Sequence, residues 1–363
     1  MRIGVDLRSL QEKQSAGIAR YANQVCRYLM TIDKTNEYFF YFNTCQKVNY
    51  PDFVKQGIVV HSHLPSKLFN LLSWFKYSAW DKKNNLDIFW QPNFNFLHLS
   101  KKVKKVLTVH DLSWRINKRW YNRKMLWWHR LLNTKKLISR ADKVVAISKS
   151  TLADLDWFYD LPKDKTEVIY SGVESDNSDL TEKISLPEKY ILFIGAIEPR
   201  KNILSIIVAL EKIYEENKNL QDVHLVIIGA RGWLNKKIYK SINKSKYSDH
   251  WHCIGYTSDA VRDYYISNCL ALIWPSFYEG FGHPPLEAFC YNKPVITSYN
   301  SSLPEVVSDQ AILIDPYNIQ GIVEAIKQVL NNYSEFSAEK KVASYNWQET
   351  AQQYLNIFNS IKK

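Results

Sequence analysis

Short apolar runs alternate with stretches of helical periodicity from one end of the chain to the other. Runs rich in β-branched and aromatic residues and bounded by polar or turn residues predict strands. In the first half they fall at residues 2–6, 38–42, 87–90, 105–110, 143–147 and 167–170, with amphipathic helical patterns at 18–30, 67–78, 120–139 and 149–158. A second series predicts strands at 190–195, 224–229, 251–254, 270–274, 294–297 and 311–314. Helices belong at 202–216, 260–267, 285–291, 319–331 and about 347–361. Runs such as YILFIG and HLVIIG are apolar throughout, which suits central strands of a parallel sheet covered on both faces. Between the two series lies the polar interval SGVESDNSDLTEKISLP, with few apolar anchors. It reads as a linker at 173–188, joining a domain over 1–172 to one over 189–345, and the last helix, about 346–363, is expected to pack back on the first domain. Two α/β domains with a cleft between them follow, and ligands of such sheets bind at the carboxyl ends of strands.

Composition narrows the classes. The 363 residues are 46% hydrophobic and 23% charged, values of a folded, core-forming protein of about two domains and unlike those of a disordered one. No run approaches the ~18 consecutive apolar residues of a membrane span. The first residues, Met1-Arg2-Ile3-Gly4-Val5-Asp6, place charges where a secretory signal is apolar, so neither export nor a membrane span is expected. Five cysteines (Cys26, Cys45, Cys253, Cys269, Cys290) are widely spaced without a Cys-x-x-Cys pair. That argues against a disulfide framework or structural zinc and fits a reducing cytoplasm. The formal charge of +12 is uneven: residues 101–149 hold 15 Lys+Arg against only Asp111 and Asp142, and the remainder is close to neutral. Such a block faces an anionic partner, for which nucleic acid, an anionic membrane and a phosphorylated substrate all stay open.

Three motifs carry candidate chemistry. Gln14-Ser15-Ala16-Gly17-Ile18-Ala19-Arg20-Tyr21 is a small-residue loop before the first helix, where Gly17 permits close backbone approach and the helix start can receive an anion; an ordinary turn explains it equally. Gly195-Ala196-Ile197-Glu198-Pro199-Arg200-Lys201-Asn202 ends the first strand of the second domain. Two cations beside a helix start oppose the helix dipole, which a bound polyanion would explain, with a solvated basic pair as the alternative. Pro275-Ser276-Phe277-Tyr278-Glu279-Gly280-Phe281-Gly282-His283-Pro284-Pro285-Leu286-Glu287-Ala288 joins an apolar strand to a helix through two glycines and two prolines. Glu279 and Glu287 flank this turn, and carboxylates accept strong hydrogen bonds from sugar hydroxyls. The Asp154-x-Asp156 pair lies in a helical pattern where i and i+2 do not share a face, and His61-x-His63 lacks a third ligand, so no metal site is expected.

The segment from Glu279 to Glu287 resembles the E-x7-E motif of the retaining glycosyltransferases of family 4. EPRKN, YEGFGHPPLEA and SSLPEVV resemble the branch of bacterial mannosyltransferases that assemble surface polysaccharides, and AGIARY and TVHD extend the likeness more thinly into the first domain. The resemblance implies an α/β fold of the GT-B type, two Rossmann-like domains with parallel sheets facing across a cleft. It implies that Glu279 contacts the transferred sugar and Glu287 the nucleotide ribose. Arg200 and Lys201 would hold the diphosphate together with backbone around Phe281, Gly282, His283 and Leu286. His110 would face the donor sugar, and Gly17 and Gly195 would lie near the phosphates. Many members have Arg directly after the strand glycine where this chain has Ala196, which throws more of the diphosphate grip onto Arg200 and Lys201. The implied reaction is metal-free and retaining, needs no cofactor, and uses a nucleotide sugar, by branch GDP-mannose, with UDP-sugars as the alternative.

The basic block interleaves Trp114, Trp120, Trp127 and Trp128 with Arg119, Arg123, Lys124 and Arg130, as helices lying in a membrane interface do. Residues 64–80 add a second amphipathic stretch, with Leu68, Leu71, Leu72 and Phe75 beside Lys67 and Lys76. Trp120, Arg123, Lys124, Trp127 and Trp128 are therefore candidates for a membrane and acceptor surface, with internal packing of the tryptophans as the other reading. The expected partners are a nucleotide-sugar donor, a lipid-diphosphate-linked saccharide and the anionic inner face of the cytoplasmic membrane. A nucleic-acid-binding protein would use the basic block but leaves the Glu279–Glu287 loop unexplained, so no nucleic acid is expected. A sugar-binding relative without activity is a third possibility.

Overall fold

A computed structural model describes residues 1–11, 17–46, 49–75, 80–175, 184, 187–332, 342 and 344–361, Trp74 and Trp80 by backbone alone. Packing divides the chain into two compact units. Met1–Leu112, Lys124–Gly172 and Tyr345–Lys363 form the first; Ser113–Arg123 and Val173–Ser344 form the second. The first unit thus departs from a continuous 1–172: the chain leaves it after Leu112 and re-enters it at Lys124. Much of the linker interval, 176–183 and 185–186, lies outside the described residues, as do residues 14–16 of the first motif and 76–78 of a predicted helix.

The first unit is built on seven parallel strands: β1 (Arg2–Asp6), β2 (Glu37–Asn43), β3 (Ile58–Ser62), β4 (Ile88–Gln91), β5 (Lys104–Val109), β6 (Lys143–Ala146) and β7 (Thr166–Val168), in the order β3-β2-β1-β4-β5-β6-β7. Helices cover the central strands, so Phe39, Phe40, Val106 and Val144 are buried on both faces of the sheet. β3 has no counterpart among the predicted strands. It is an edge strand whose Ile58 and Val59 stay about 40% exposed, so it lacks the clean in–out alternation of a half-buried strand. The helix Trp347–Ser360 packs against Gly17–Ile32, and the hydroxyls of Tyr354 and Tyr21 lie 2.8 Å apart. Tyr354 also meets the Thr108 hydroxyl at 2.5 Å, and Thr108 accepts a hydrogen bond from the Trp90 indole at 2.9 Å. The end of the chain is thereby fastened to the middle of this sheet. The single helix predicted at 120–139 is three pieces: a 3-10 turn Lys118–Trp120 and helices Arg123–Leu132 and Thr134–Arg140. The break falls at Asn133, in left-handed conformation (φ 50°), whose side chain accepts from the Lys136 amide and starts the next helix.

The second unit holds six parallel strands: β8 (Lys189–Ile194), β9 (Val223–Ile228), β10 (Trp251–Gly255), β11 (Ala271–Trp274), β12 (Val295–Ser298) and β13 (Ile312–Ile314), ordered β10-β9-β8-β11-β12-β13. The chain winds one way from β8 and the other way from β11, so the switch point lies between these two strands, where parallel sheets hold their ligands. Helices Lys236–Lys244 and Leu303–Val307 are additions to the predicted set. The turns after β8 and β9 cross so closely that a Cβ at Gly229, itself at φ 148°, would stand 2.0 Å from the Gly195 carbonyl oxygen. Among the described residues, no helix is long and apolar enough to cross a membrane.

Candidate functional site

The two strands that flank the switch point each end in one of the motifs. After β8 the chain makes the 3-10 turn Pro199–Lys201, then Asn202 adopts the left-handed conformation (φ 58°) and the helix Ile203–Glu216 begins. The Asn202 amide donates to the carbonyls of Pro275 (3.1 Å) and Pro316 (2.8 Å), tying the loops after β8, β11 and β13 together. After β11, the Glu279 amide donates to the Ser301 hydroxyl at 2.8 Å, and the Ser302 hydroxyl lies 3.0 and 2.6 Å from the carbonyl oxygens of Glu279 and Phe281. Those serines follow β12. Four strand ends thus converge on Glu279.

Its carboxylate is held by both members of the basic pair. Lys201 Nζ lies 2.6 Å from one oxygen and Arg200 Nη1 3.0 Å from the other. Arg200 also donates to the Tyr278 carbonyl at 2.7 Å and pairs with Glu198 at 2.8 Å. Lys201 sits over the Trp274 ring at 4.3 Å, and the Trp274 indole donates to the Ile194 carbonyl. Glu198, Arg200, Lys201 and Glu279 are all less than 10% exposed. The pair is therefore not a solvated one: two buried cations face two carboxylates, because a buried charge needs a partner. Burial pushes the Glu279 carboxyl up, but Arg200 and Lys201 outweigh it and hold it below the ordinary carboxylate range. Burial lowers the Lys201 ammonium against the pull of Glu279, and raises the Glu198 carboxyl despite Arg200 and Lys201.

Beyond Glu279 the chain turns through Gly282, at φ 123°, into the helix His283–Cys290, whose second and third residues are prolines with no N–H to leave bare. The side chains of Phe281 and Leu286 are buried in the core, so their contribution to any ligand is through backbone, and His283 lies half-buried with its ring 5.1 Å from that of Phe281. Glu287 is buried one helical face further on, 3.7 Å from Arg262 Nε. Arg262 binds Asp263 (2.6 Å) and Asp259 (2.5 Å) as well; burial depresses its guanidinium, and the three carboxylates more than reverse that. Both glutamates of the motif are thus carboxylates clamped by arginine. Glu198, Ser301 and Ser302 lie inside EPRKN and SSLPEVV, where sequence reasoning assigned them no role of their own, and Arg262 had no distinguishing signal, since a charged residue on a helical pattern reads as solvated surface.

The first unit carries the remaining residues. His110 follows β5, half-buried, with Nε2 donating to the Pro92 carbonyl at 2.8 Å and its ring 5.0 Å from that of Tyr21. Burial lowers its pKa against the opposing pull of the Pro92 carbonyl and Asp111; with Nε2 donating, Nδ1 is the acceptor of the neutral ring. Gly17 begins the helix after β1, exposed, with nothing within 4 Å of where a Cβ would stand. Nearby in sequence, Arg8 forms a buried pair with Asp6 at 2.5 Å and donates to the Phe96 carbonyl, a charged feature at the end of β1 that no motif suggested.

The basic aromatic candidates separate. Arg123, Lys124 and Trp127 (63% exposed) face solvent, and Trp128 is half-buried with its ring edge-on to Phe96 at 6.0 Å. Trp120 is corrected: it is 8% exposed, its ring stacked on Phe277 at 6.2 Å, and a buried indole does not enter a membrane. Lys104 pairs with Asp142, and Lys143 donates to the Asp164 carbonyl. Those two lysines belong to strands, and the cations of the helical part, Arg123, Lys124, Arg130, Lys135, Lys136 and Arg140, are exposed. His61 bridges Tyr50 and the Thr44 carbonyl, and Asp154 and Asp156 lie on the helix Lys149–Tyr159; among the described residues no cluster suited to a metal occurs.

Two family models match the chain: residues 15–177 match Glycosyltransferase Family 4, and residues 176–347 match the glycosyl transferases group 1. O-antigen chain mannosyltransferase B of Escherichia coli is 27% identical over 305 residues, 77% of this chain and 76% of the relative. O-antigen chain mannosyltransferase RfbU of Salmonella typhimurium is 27% identical, across 78% of this chain and 80% of the relative. The serotype-specific mannosyltransferase WbdA of Escherichia coli is longer, and the chain spans 34% of it at 27% identity. Among solved structures, sucrose-phosphate synthase from Thermosynechococcus elongatus aligns with a TM-score of 0.77 at 18% identity, covering 99% of both chains. The lipopolysaccharide outer core galactosyltransferase WaaB aligns at 0.65 and 17%, again covering 99% of both. These structures share the GT-B fold.

Proposed function

The chain belongs to the family 4 glycosyltransferases of GT-B fold, and on that premise we propose that it transfers mannose from GDP-mannose, with retention of configuration, to a lipid-diphosphate-linked saccharide in bacterial surface-polysaccharide assembly. The observation that carries the reading is Glu279 held between Lys201 and Arg200 at the β8/β11 switch point, with Glu287 eight residues on. The O-antigen mannosyltransferases among its relatives support the choice of sugar. UDP-sugars are the second reading.

In this reading Glu279, ionised and fixed, accepts hydrogen bonds from hydroxyls of the transferred sugar and orients its anomeric carbon. Lys201 and Arg200 face the diphosphate, the backbone of Gly195 and of Phe281–Leu286 lines it, and Glu287 receives the ribose hydroxyls. As the bond from the anomeric carbon to the diphosphate breaks, the departing oxygens gain charge. Cations and amide donors stabilise that charge by ~3–4 kcal/mol for each well-aimed group. The acceptor oxygen bonds to the carbon on the face the diphosphate leaves, and the leaving phosphate takes its proton. Nothing in this scheme calls for a divalent cation. Leu68, Leu71, Phe75 and Trp127 stay exposed on the first unit beside Lys67 and Lys124, and support peripheral attachment to an anionic membrane at the cytoplasmic face.

Thermal-shift titrations with GDP-mannose, UDP-glucose and UDP-N-acetylglucosamine, followed by mass spectrometry of a lipid-linked acceptor, test the reading. A ligand at 100 times its Kd raises stability by ~2.7 kcal/mol. Stabilisation by a UDP-sugar and none by GDP-mannose would overturn the donor choice. Activity surviving EDTA is expected, and a strict requirement for added Mg²⁺ or Mn²⁺ contradicts the metal-free scheme.

A further inference from the structure

The segment Ser113–Arg123 leaves the strand order of the first half of the chain and packs as part of the second unit. Its contacts there are specific. The Trp120 ring lies almost parallel to Phe277 (7° between planes, centroids 6.2 Å apart) and 6.4 Å from Tyr278. Its carbonyl accepts a hydrogen bond from the Trp233 indole at 2.5 Å, and Tyr121 stacks on that same indole at 5.4 Å. The Tyr121 hydroxyl closes the loop on the Ser113 hydroxyl at 2.5 Å. On the other strand ends, Phe277 packs against Tyr317 at 4.7 Å.

Phe277 and Tyr278 are the two residues before Glu279, and both are wired by backbone to the basic pair. The Phe277 amide donates to the Arg200 carbonyl at 2.9 Å, and the Tyr278 carbonyl accepts from Arg200 Nη1 at 2.7 Å. An indole lying over this dipeptide restricts its backbone, and through it the direction in which Glu279, two residues on, presents its carboxylate. We propose that Trp120 is a positioning residue for the reaction: the Ser113–Arg123 segment is a strap whose indole clamps Phe277-Tyr278 and thereby sets Glu279 and Arg200 against the transferred sugar and diphosphate. It touches no reacting atom. The inference rests on the donor-site reading above for its catalytic consequence, and on the packing alone for the clamp.

The experiment pairs Trp120→Ala with Trp120→Phe in the full chain. Hydrogen exchange at the Phe277 and Glu279 amides reads the clamp without any reaction. Exchange is expected to speed up in Trp120→Ala and to return close to wild type in Trp120→Phe, while β8 amides of Ile191–Phe193 stay protected and report that the fold survives. If Trp120→Ala loses that protection, Trp120→Leu is read in its place. Steady-state transfer with GDP-mannose or UDP-glucose, whichever is used, should lose about 10²-fold in kcat, the cost of a small misplacement at a reacting centre. Affinity for GDP or UDP alone should weaken by less than kcat falls, because Arg200 keeps its pairs with Glu198 and Glu279 when the indole is removed. Unchanged exchange in the alanine variant overturns the clamp. Faster exchange with wild-type kcat and KM overturns its role in the reaction. If the wild-type chain transfers no sugar, the function reading fails and the exchange data still decide the clamp.

Discussion

Arg200 and Lys201 carry the same charges in the same order as Arg123 and Lys124, and their surroundings give them different work. The first pair is less than 10% exposed, in the turn after the central strand β8, and both cations are satisfied by carboxylates within about 3 Å. The second pair stands in solvent at the start of an amphipathic helix beside the exposed Trp127. A buried cation is strongly coupled to its partner and screened little, so it can be aimed; an exposed one contributes a field that salt screens within about 10 Å. The lesson is that a segment's net charge does not reveal where buried, paired cations lie, because those are balanced locally and out of water.

The difference can be pushed until it breaks. Glu279→Gln and Lys201→Met should each cut transfer by about 10²–10³-fold, the scale of losing one preorganised electrostatic group. Turnover at the wild-type rate in either removes the site assignment. Glu279→Ala should also lower stability by ~3–5 kcal/mol, since it leaves Lys201 buried without its carboxylate and Arg200 with Glu198 alone, whereas the double change of Arg123 and Lys124 to alanine should stay within about 0.5 kcal/mol. Equal urea midpoints for the two would erase the distinction drawn here.

Next in size is Gly229→Ala, expected to cost more than ~2 kcal/mol by strain at a positive φ and a clash with the Gly195 carbonyl 2.0 Å away, measured by chemical denaturation. On the exposed side, replacing Arg123, Lys124, Trp127 and Trp128 together should release the protein from anionic liposomes. Each basic residue near such a surface contributes ~1 kcal/mol. Sedimentation that is unaltered by the fourfold change, or insensitive to salt, would refute the docking surface.

The smallest effect is a pH dependence. The Glu279 carboxyl is held below its ordinary value, net of the upward push of burial, so the folded state binds its proton less readily than the unfolded chain. Its contribution is fully present above about pH 4.3 and is lost as pH falls through the lower, folded-state value. Urea midpoints measured from pH 7 to pH 3 should therefore fall less steeply in Glu279→Gln than in wild type. The Arg123 and Lys124 variants should track wild type across that range.

Much of this was legible in the chain. Strand positions came through because central parallel strands are apolar on both faces, and β3 escaped because an exposed edge strand need not be. Glu279 and Glu287 stood out through their spacing around the Gly282 turn. Their clamps did not, since Arg262 is remote in sequence from Glu287 and nothing local distinguishes a buried arginine on a helix from a solvated one. Trp120 misled in the opposite direction: surrounded by Arg and Lys it reads as a membrane anchor, and its burial depends on Phe277, 157 residues later.

What the sequence determined by itself is the alternation of strands and helices, the division into two α/β units, and the presence of a turn with two flanking carboxylates, all of which are local patterns of period, turn chemistry and charge. Only the tertiary structure decided that the basic pair is neutralised by Glu198 and Glu279, that Arg262 stands against Glu287, and that residues 113–123 belong with the second unit. The physical reason is that burial and pairing are properties of where the sheet brings strand ends together, and side chains far apart along the chain acquire their charge environment only there.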